Sequence, residues 1–567
     1  MIAGDLHDGA GLSDATKPNG NVSNAVFERI DYDVLTIGNH ELYLTDIAYE
    51  TFTQFSKYYG ERYVTSNVRI LNNATGKFEY IGQKYRYFTT ANGLKIMAFG
   101  VLYDFKGNTN YTQVVTAANM TKEQWFIDAV KTPQPVDLFL LIGHNPVRPS
   151  DSENTLKIVQ KAIRNARPNT PIQIFGGHSH VRDLAVYDSS SVGLESGRYC
   201  ETLGFLSMSE IQSSSYKGKM NPAGVPHPMQ RAINVTANAS AIPASQISDG
   251  QVQNPKGPLY FRRYLDWNRL TFEYHAVGSQ ASTFDVSPGP SVSAEITQDR
   301  KALNLTALYG CAPQTYCISC VPFLSNGSIF SLIQVALAAE VVNKSRATTP
   351  RFIVINTGSI RFDLVQGPFT FDDSFIVSPF TDSFQYIPQV PYAAASQVLD
   401  TLNAQPDSKK RNLQRLEYTP DFNGADGCYD TPDLLADAES RLYSRDSASM
   451  TRRATPALTP GYVTSDDFGT DGDDTPHSKI PNYDLPAYVQ TNASFPTAGK
   501  PTTVDLVFLD YVASDVLSAL SSLGVKYTKS DVAQYLPKSF TTNSYLPLYA
   551  QQFWSKGPVC PVGQGVQ

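Results

Sequence analysis

Long apolar runs are missing from this sequence of 567 residues. No stretch approaches the roughly 18 consecutive apolar residues that a membrane-spanning helix needs, so we predict no transmembrane segment. An excess of positive charge is missing as well, because 46 Lys and Arg stand against 53 Asp and Glu. The net charge of -7 argues against a nucleic-acid polymer as a partner. The length predicts several domains.

Cysteine is scarce, with six residues in the whole chain. Three of them lie in CAPQTYCISC (residues 311–320), which could form either a metal site or a disulfide. No second cysteine pair and no histidine follow at zinc-finger spacing, so the pattern favours a disulfide. Asn-X-Ser/Thr sequons agree with a secretory glycoprotein, although a chain rich in Asn, Ser and Thr also forms some by chance. They begin at Asn21, Asn73, Asn110, Asn119, Asn234, Asn238, Asn304, Asn326, Asn343 and Asn492.

Short apolar runs alternate with helical patterns in the first part of the chain. We predict strands in DVLTIG, LKIMAFGVL, VDLFLLIG and PIQIFGG, and a helix in SENTLKIVQKAIRNAR between the last two. Such alternation is typical of a layered α/β domain. We place this domain at residues 1–285 and a second, mixed α/β domain at residues 291–560. A polar, charge-rich stretch at about 404–460 is predicted to be a surface insertion.

Histidine is rare too, yet four of the eight histidines follow an apolar run and a glycine. An aspartate and an asparagine share this context. The side chains presented in this way are, in chain order, Asp5, Asn39, His40, His144, His178 and His180. Any one of these histidines alone is more often structural than catalytic. Open α/β sheets place their chemistry at the carboxyl ends of strands, so we expect the whole set to converge.

The same set of side chains predicts a metal centre. Carboxylate, imidazole and amide donors together suit Zn, Mn, Fe or Co better than Ca or Mg. Two such ions about 3.5–4 Å apart can clamp phosphoryl oxygens. A carboxylate can bridge the two ions, because each of its oxygens can bind one. We therefore expect two divalent transition-metal ions at this site.

The motifs and their order resemble those of the calcineurin-like metallophosphoesterases. The motifs of that family are D-x-H, G-D, G-N-H-E/D, G-H and G-H-x-H. The last four are present as GD at 4–5, GNHE at 38–41, GH at 143–144 and GHSH at 177–180. The resemblance implies a layered metallophosphoesterase sandwich for the first domain.

The resemblance also assigns a role to each side chain. Asp5 would bridge the two ions, and His180 would bind one of them. The shell of the other ion would be completed by Asn39, His144 and His178. His40 is not a ligand in that family. It would stabilise charge or protonate the leaving oxygen.

Two departures from the family pattern affect these expectations. Family nucleotidases often carry an aspartate three residues after the catalytic histidine, where this chain has Tyr43. The D-x-H motif is absent, and Asp5 follows only MIAG rather than a full strand. We therefore expect the chain to be N-terminally truncated relative to a functional protein. One metal site would then be incomplete, because Asp5 and His180 alone would hold its ion.

The second domain resembles the C-terminal domain of 5'-nucleotidases. NTGSIR is similar to that family's substrate motif, which implies that Asn356 and Arg361 contact the nucleotide. SPF is similar to a segment whose aromatic ring stacks on the base, here Phe380. DDFGTDGDD matches a second stacking segment roughly, with Phe468 and Asp473 as the nearest positions. Ordinary core packing is the alternative for both phenylalanines.

These resemblances imply a dimetal hydrolase of phosphate esters. A 5'-nucleotidase-type phosphomonoesterase acting on nucleotides through a metal-bridging hydroxide is the favoured function. A phosphodiesterase or a nucleotide-sugar hydrolase would use the same metals, because the second domain selects the leaving group. A catalytically impaired, secreted nucleotide-binding glycoprotein is a third interpretation, which the missing D-x-H motif favours. The chain also resembles fungal secreted or vacuolar proteins with these two domains, so we expect an extracellular or vacuolar location.

Overall fold

The computed structural model describes residues 1, 3–198, 200–209, 211, 258–277, 283–404, 459–461, 464–467, 472–475, 477–556 and 560. The chain forms two compact units, and each of them draws on separate stretches of sequence. Unit 1 comprises residues 1–6, 24–293 and 419–479. Unit 2 comprises residues 7–23, 294–418 and 480–567. The described residues between 459 and 479 lie in unit 1, although we predicted this stretch as part of the second domain.

The helices and strands of the described residues alternate along most of the chain. The α-helices are α1 (Gly11–Asp14), α2 (Ser23–Phe27), α3 (Thr45–Glu50), α4 (Ser56–Tyr59), α5 (Ala117–Met120), α6 (Gln124–Val130), α7 (Leu156–Ala166), α8 (Arg269–Val277), α9 (Gly289–Ala302), α10 (Ile329–Glu340), α11 (Phe371–Val377), α12 (Tyr392–Ala395), α13 (Val398–Asn403), α14 (Ala513–Ser522) and α15 (Tyr545–Phe553). The strands of unit 1 are β1 (Val68–Asn72), β2 (Lys77–Tyr80), β3 (Arg86–Thr89), β4 (Lys95–Gly100), β5 (Thr112–Val114), β6 (Leu138–Ile142), β7 (Ile172–Phe175), β8 (Arg182–Asp188), β9 (Ser191–Ser196), β10 (Thr202–Ser209), β11 (Leu259–Asp266), β16 (Thr459–Gly461), β17 (Ser465–Asp466) and β18 (His477–Lys479). Those of unit 2 are β12 (Leu308–Ala312), β13 (Arg351–Asn356), β14 (Gly367–Thr370), β15 (Phe384–Pro391), β19 (Tyr488–Ala493), β20 (Thr503–Leu509) and β21 (Ala533–Gln534).

Unit 1 is built on a seven-stranded sheet with the order β17-β8-β9-β7-β6-β4-β3. Its centre is parallel, with β4, β6, β7 and β9 running in one direction, whereas β3 is antiparallel to β4 and β8 is antiparallel to β9. Every residue of β6 is buried, which fits a strand covered on both faces. The carboxyl ends of β6 and β7 lie side by side, so the loops after these two strands are brought together.

Most elements predicted for the first domain are present, and the layered α/β fold is confirmed. The strands β4, β6 and β7 and helix α7 form where the apolar patterns predict them. The stretch DVLTIG is different. Its residues Val34, Leu35 and Ile37 are fully buried, but only an isolated bridge between Leu35 and Tyr63 forms there. Burial follows from the apolar run itself, whereas a ladder also needs a partner strand in register.

Unit 2 has its own core around a five-stranded sheet with the order β19-β13-β20-β15-β21. All six residues of β13 are buried, and β13 runs parallel to β20. Helix α10 begins after Ser328, whose side chain accepts a hydrogen bond from the amide of Phe330. Two disulfides, Cys311–Cys560 and Cys317–Cys320, confirm the disulfide interpretation of the cysteine cluster.

Within the described part of the chain, no helix is both long enough and apolar enough to cross a membrane. The insertion predicted at about 404–460 lies almost entirely outside the described residues.

Candidate active site

Asp5 lies in a tight loop against the GNHE segment. Gly4 has φ of 91° and Asp5 has φ of 57°, so both residues are in the left-handed region. A Cβ atom on Gly4 would lie 2.2 Å from the Gly38 nitrogen, and one on Gly38 would lie 2.0 Å from Oδ1 of Asp5. Both positions therefore require glycine. The backbone amide of His40 donates to Oδ1 of Asp5 at 3.0 Å, which fixes the carboxylate.

Glu41 holds this loop in place, a role that sequence analysis missed. Its buried carboxylate accepts hydrogen bonds from the backbone amides of Asp5 at 3.0 Å, Leu6 at 2.6 Å and Gly38 at 2.7 Å. Three amides that point at one carboxylate stabilise a left-handed turn that would otherwise be strained. The glutamate of GNHE therefore positions the aspartate that the sequence places 36 residues earlier.

Two histidines bring nitrogen atoms to the same carboxylate. Nδ1 of His144 lies 3.0 Å from the carbonyl oxygen of Ala3, so Nδ1 carries the proton and Nε2 keeps its lone pair. That Nε2 lies 2.8 Å from Oδ2 of Asp5. Nε2 of His178 lies 3.2 Å from the carboxylate of Glu153, which leaves the lone pair of His178 on Nδ1. This Nδ1 lies 3.2 Å from Nε2 of His144.

Three acceptor atoms from Asp5, His144 and His178 therefore converge. Their ligand atoms all lie within 4.8 Å of one another. Acceptors packed this closely repel one another unless a cation lies between them, so the arrangement fits a metal ion. Burial alone would raise the pKa of Asp5, but the neighbouring His144 and His40 outweigh it and hold that pKa well below its usual range. Burial lowers the pKa of His178, which favours the neutral ring that a metal requires.

Asn39, which we predict to be a metal ligand, lies buried in the GNHE segment. It is 1% exposed, and its side-chain amide donates to the hydroxyl of Tyr43 at 2.8 Å. No hydrogen-bond donor among the described residues reaches its buried Oδ1. A buried carbonyl oxygen without a donor is costly, and a metal ion would satisfy it. Tyr43 thus orients the asparagine, and its ring also contacts His40 edge-on, with the ring centroids 5.0 Å apart.

His40 and His180 complete the predicted set in different ways. Nε2 of His40 lies 3.6 Å from Oδ2 of Asp5, and the side chain is 2% exposed, so the structure brings His40 to the site. His180 is half-buried, two residues after His178, and both have left-handed φ values, 62° and 77°. Among the described residues, the close group of ligand atoms consists of Asp5, His144 and His178 and does not include His180.

Unit 2 contains three of the five residues predicted to recognise substrate, Asn356, Arg361 and Phe380. Asn356 ends β13 and is 5% exposed, and no described donor reaches its Oδ1. The Arg361 guanidinium lies over the ring of Phe380, 5.8 Å from its centroid. The amide of Arg361 donates to the carbonyl of Val377 at 2.8 Å. The NTGSIR and SPF segments therefore form one local cluster, although they are separate in sequence.

The DDFGTDGDD segment lies elsewhere than predicted. Phe468 is outside the described residues. Asp473 belongs to unit 1, where it accepts from the Thr464 hydroxyl at 2.5 Å and lies 3.7 Å from Arg182. We call residues 464–467 and 472–475 the acidic segment. Three of its carboxylates pair with arginines of unit 1, two of which are buried, and this pairing accounts for its position. The pairs are Asp466–Arg262, Asp467–Arg148 and Asp473–Arg182.

Comparison with known proteins identifies two families in the chain. Residues 1–182 match the family model of calcineurin-like phosphoesterases, and residues 315–517 match that of the NAD nucleotidase C-terminal domain. A secreted protein of Arthroderma benhamiae is 53% identical, covering 98% of this chain and 83% of its own length. An uncharacterized protein of Schizosaccharomyces pombe is 38% identical, covering 97% of this chain and 83% of its own length.

A solved structure covers both units. The crystal structure of a 5'-nucleotidase from Candida albicans has a TM-score of 0.74 and 33% identity, and the match covers 97% of this chain and 89% of that chain. The fold and the site together define a metal-dependent hydrolase of phosphoric esters. The chain belongs to the calcineurin-like metallophosphoesterases that carry a C-terminal domain of the 5'-nucleotidase type.

Proposed function

We propose that this protein is a phosphomonoesterase of the 5'-nucleotidase type, which releases phosphate from nucleotides. The observation that carries the proposal is the convergence of acceptor atoms from Asp5, His144 and His178 in unit 1. The similarity to a C. albicans protein described as a 5'-nucleotidase supports the choice of substrate. The cluster of Asn356, Arg361 and Phe380 in unit 2 supports it further, because a guanidinium beside an aromatic ring can recognise a phosphate and a base.

We assign the metal ligands as follows. One divalent ion, Zn, Mn, Fe or Co, would be held by Asp5, Asn39, His144 and His178. Asp5 and His180 would hold a second ion. A bound ion of this kind polarises phosphoryl oxygens and lowers the pKa of water. Because four protein ligands hold an ion more tightly than two, we expect the first of these ions to bind more tightly than the second.

The remaining steps fall to the chain's own side chains. Asp5 is fixed by the amide of His40, so the carboxylate and the imidazole keep a constant relative position. His40 donates a proton to the leaving oxygen of the nucleoside. Arg361 contacts the nucleoside part of the nucleotide with its planar fork, and Phe380 stacks on the base.

We also propose that the protein acts outside the cytoplasm, in the extracellular space or the vacuole. Two disulfides suit an oxidising compartment, and the A. benhamiae relative is described as secreted. Several sequon asparagines are exposed and are proposed glycan sites. They include Asn21, Asn73, Asn110, Asn119 and Asn326.

A substrate panel tests the proposed function. AMP, UDP-glucose, bis(p-nitrophenyl) phosphate and a phosphopeptide are each supplied with Mn²⁺ or Zn²⁺. Released phosphate is measured for AMP and the phosphopeptide, p-nitrophenol for the diester, and glucose 1-phosphate for UDP-glucose. We expect AMP to be the best substrate and His144→Ala to lower the rate about a hundredfold or more, because it removes a ligand. His275→Ala in α8 is the matched control and should leave the rate unchanged. Preferred cleavage of the diester or of UDP-glucose would contradict the monoesterase assignment.

A further inference from the structure

Glu195 is a buried carboxylate that the proposed mechanism does not use. It is the fifth residue of β9 (Ser191–Ser196) and is 1% exposed. Strand β9 runs parallel to β7, with Leu194 opposite Phe175, the last residue of β7. Glu195 therefore lies at the carboxyl end of β9, beside the end of β7 where the GHSH loop begins. A carboxylate in such a place is expensive to bury unless its oxygens are used.

Both oxygens of Glu195 accept hydrogen bonds from loops that carry candidate metal ligands. Oε1 accepts from the amide of Ser179 at 3.0 Å and from its hydroxyl at 2.5 Å. Oε2 accepts from the amide of Val147 at 3.4 Å, a longer contact. Ser179 stands between His178 and His180, and Val147 follows His144 by three residues. One side chain thus connects the two loops that supply the histidines.

The GHSH loop needs such support because of its backbone. His178 and His180 both have left-handed φ values, which residues with a Cβ rarely adopt. Ser179 lies between these two strained positions, and Glu195 holds it through both its amide and its hydroxyl. The amide of Gly177 also donates to the carbonyl of Asn145 at 3.2 Å, so the two loops are already adjacent there.

We propose that Glu195 is a positioning residue, which locks the His144 loop and the GHSH loop into the geometry that binds metal. It acts through Ser179 and Val147, and its two oxygens are committed to these donors. The inference rests on the proposed function, because the histidines are metal ligands only within it. It goes further in naming the residue that sets the distance between the ligands from β6 and those from β7.

Metal titration of the full-length chain tests the inference. Mn²⁺ affinity is measured by calorimetry, and the Co²⁺ form is examined by its visible absorption spectrum. We expect Glu195→Ala to weaken metal binding by about 10–100-fold and to alter the Co²⁺ spectrum, as is usual for residues that orient ligands. Glu195→Gln should restore part of the affinity, because its carbonyl oxygen can still accept from Ser179.

Two further variants make the test specific. Asp188→Asn, at the other end of the sheet, removes a carboxylate that pairs with Arg164 and should leave metal affinity and the Co²⁺ spectrum unchanged. Ser179→Ala removes only the hydroxyl contact and should weaken metal binding less than Glu195→Ala does. It also serves as the test if Glu195→Ala does not fold. Unchanged Mn²⁺ affinity and an unchanged Co²⁺ spectrum in the soluble Glu195 and Ser179 variants would overturn the inference alone. A wild-type chain that binds no divalent ion would overturn the proposed function as well.

Discussion

At the scale of single residues, the ring nitrogen that carries the proton decides which nitrogen of a histidine can bind a metal ion. The Ala3 carbonyl accepts a hydrogen bond from Nδ1–H of His144, and the Glu153 carboxylate accepts one from Nε2–H of His178. The two rings therefore present opposite nitrogens to Asp5. The sequence predicts two histidines after two strands. Which ring nitrogen of each keeps its lone pair is set by Ala3 and Glu153, which are their neighbours only in the folded chain.

The Arg361 side chain provides a test of substrate recognition. Arg361→Ala should raise the KM for AMP at least tenfold while changing hydrolysis of p-nitrophenyl phosphate little, because the aryl ester lacks the nucleoside. Steady-state kinetics on both substrates measure the difference. Lys344→Ala, which removes an exposed cation elsewhere in unit 2, is the control. Equal losses on AMP and on the aryl phosphate would contradict a role for Arg361 in nucleotide recognition.

Asp382 should make the stability of unit 2 depend on pH. Burial, with the nearby charge of Asp510, raises its pKa to about 7, whereas an unfolded aspartate titrates near about 3.9. The folded state therefore binds the proton more tightly, and its contribution to stability is present at low pH and lost as pH rises from about 4 to about 7. Above that range the folded chain carries an unfavourable buried carboxylate.

The unfolding temperature of Asp382→Asn measures this effect. The unfolding temperature of the variant, relative to that of the wild type, should rise by several degrees between pH 4 and pH 7. This difference should level off above pH 7. Asp510→Asn removes the neighbouring charge and should move the midpoint of this change to lower pH. A gain that is the same at every pH would refute the raised pKa.

At the scale of elements, short-range patterns predict more than long-range contacts do. An apolar run followed by glycine is visible in the chain, and it correctly indicates β6, β7 and the residues that follow them. The supporting carboxylates are different, because each meets its partner only in the folded chain. Glu41 lies 35 residues from Leu6, and Glu195 lies 16 residues from Ser179. No local pattern marks such a glutamate as buried.

The acidic segment shows the same limit more strongly. Its glycine and aspartate residues resemble a loop of the second domain, and only pairing with distant arginines reveals its place in unit 1. Arg262 and Arg182 are 1% and 2% exposed, so the opposite charges that meet them have a large effect on position. A buried arginine requires a carboxylate partner, but the sequence does not indicate which carboxylate pairs with it.

Removing one carboxylate of the acidic segment should destabilise unit 1. Asp466→Ala deletes the group that contacts Nε of Arg262 at 2.6 Å, and loss of one partner of a buried pair costs about 3–5 kcal/mol. Calorimetric unfolding should show a lower transition temperature for unit 1. Replacing both partners, as Arg262→Met with Asp466→Leu, should recover most of the loss. Asp285→Ala, which breaks an exposed pair with Arg269, should change the transition little.

At the scale of the whole molecule, neither unit is a single continuous stretch of sequence. The chain passes from one unit to the other after residues 6, 23, 293, 418 and 479. Unit 1 therefore depends on a segment that follows much of unit 2 in the sequence. The strand β17 pairs in parallel with β8 and extends the seven-stranded sheet.

A fragment that stops at residue 293 should show this dependence. It lacks β17 and the carboxylates that pair with Arg148, Arg182 and Arg262, so we expect it to be poorly soluble or to unfold at a much lower temperature. Joining residues 459–479 to its end through a flexible linker should raise both solubility and unfolding temperature. The same linked segment with Asp466, Asp467 and Asp473 changed to Asn is the control. A fragment 1–293 as stable as unit 1 in the full chain would contradict the structural role of the segment.

The late position of the acidic segment has a consequence for protein synthesis. Chains emerge from the ribosome at about 5–20 residues per second, and N-terminal domains usually fold first. Unit 1 cannot follow that order, because the edge of its sheet at β8 stays uncovered until Ser465 and Asp466 have been translated. During that interval the carboxylates that pair with Arg148, Arg182 and Arg262 have not been synthesised, and β17 is not yet present to pair with β8. Nascent chains of this protein should therefore depend on chaperones that shield sheet edges, until translation has passed Lys479.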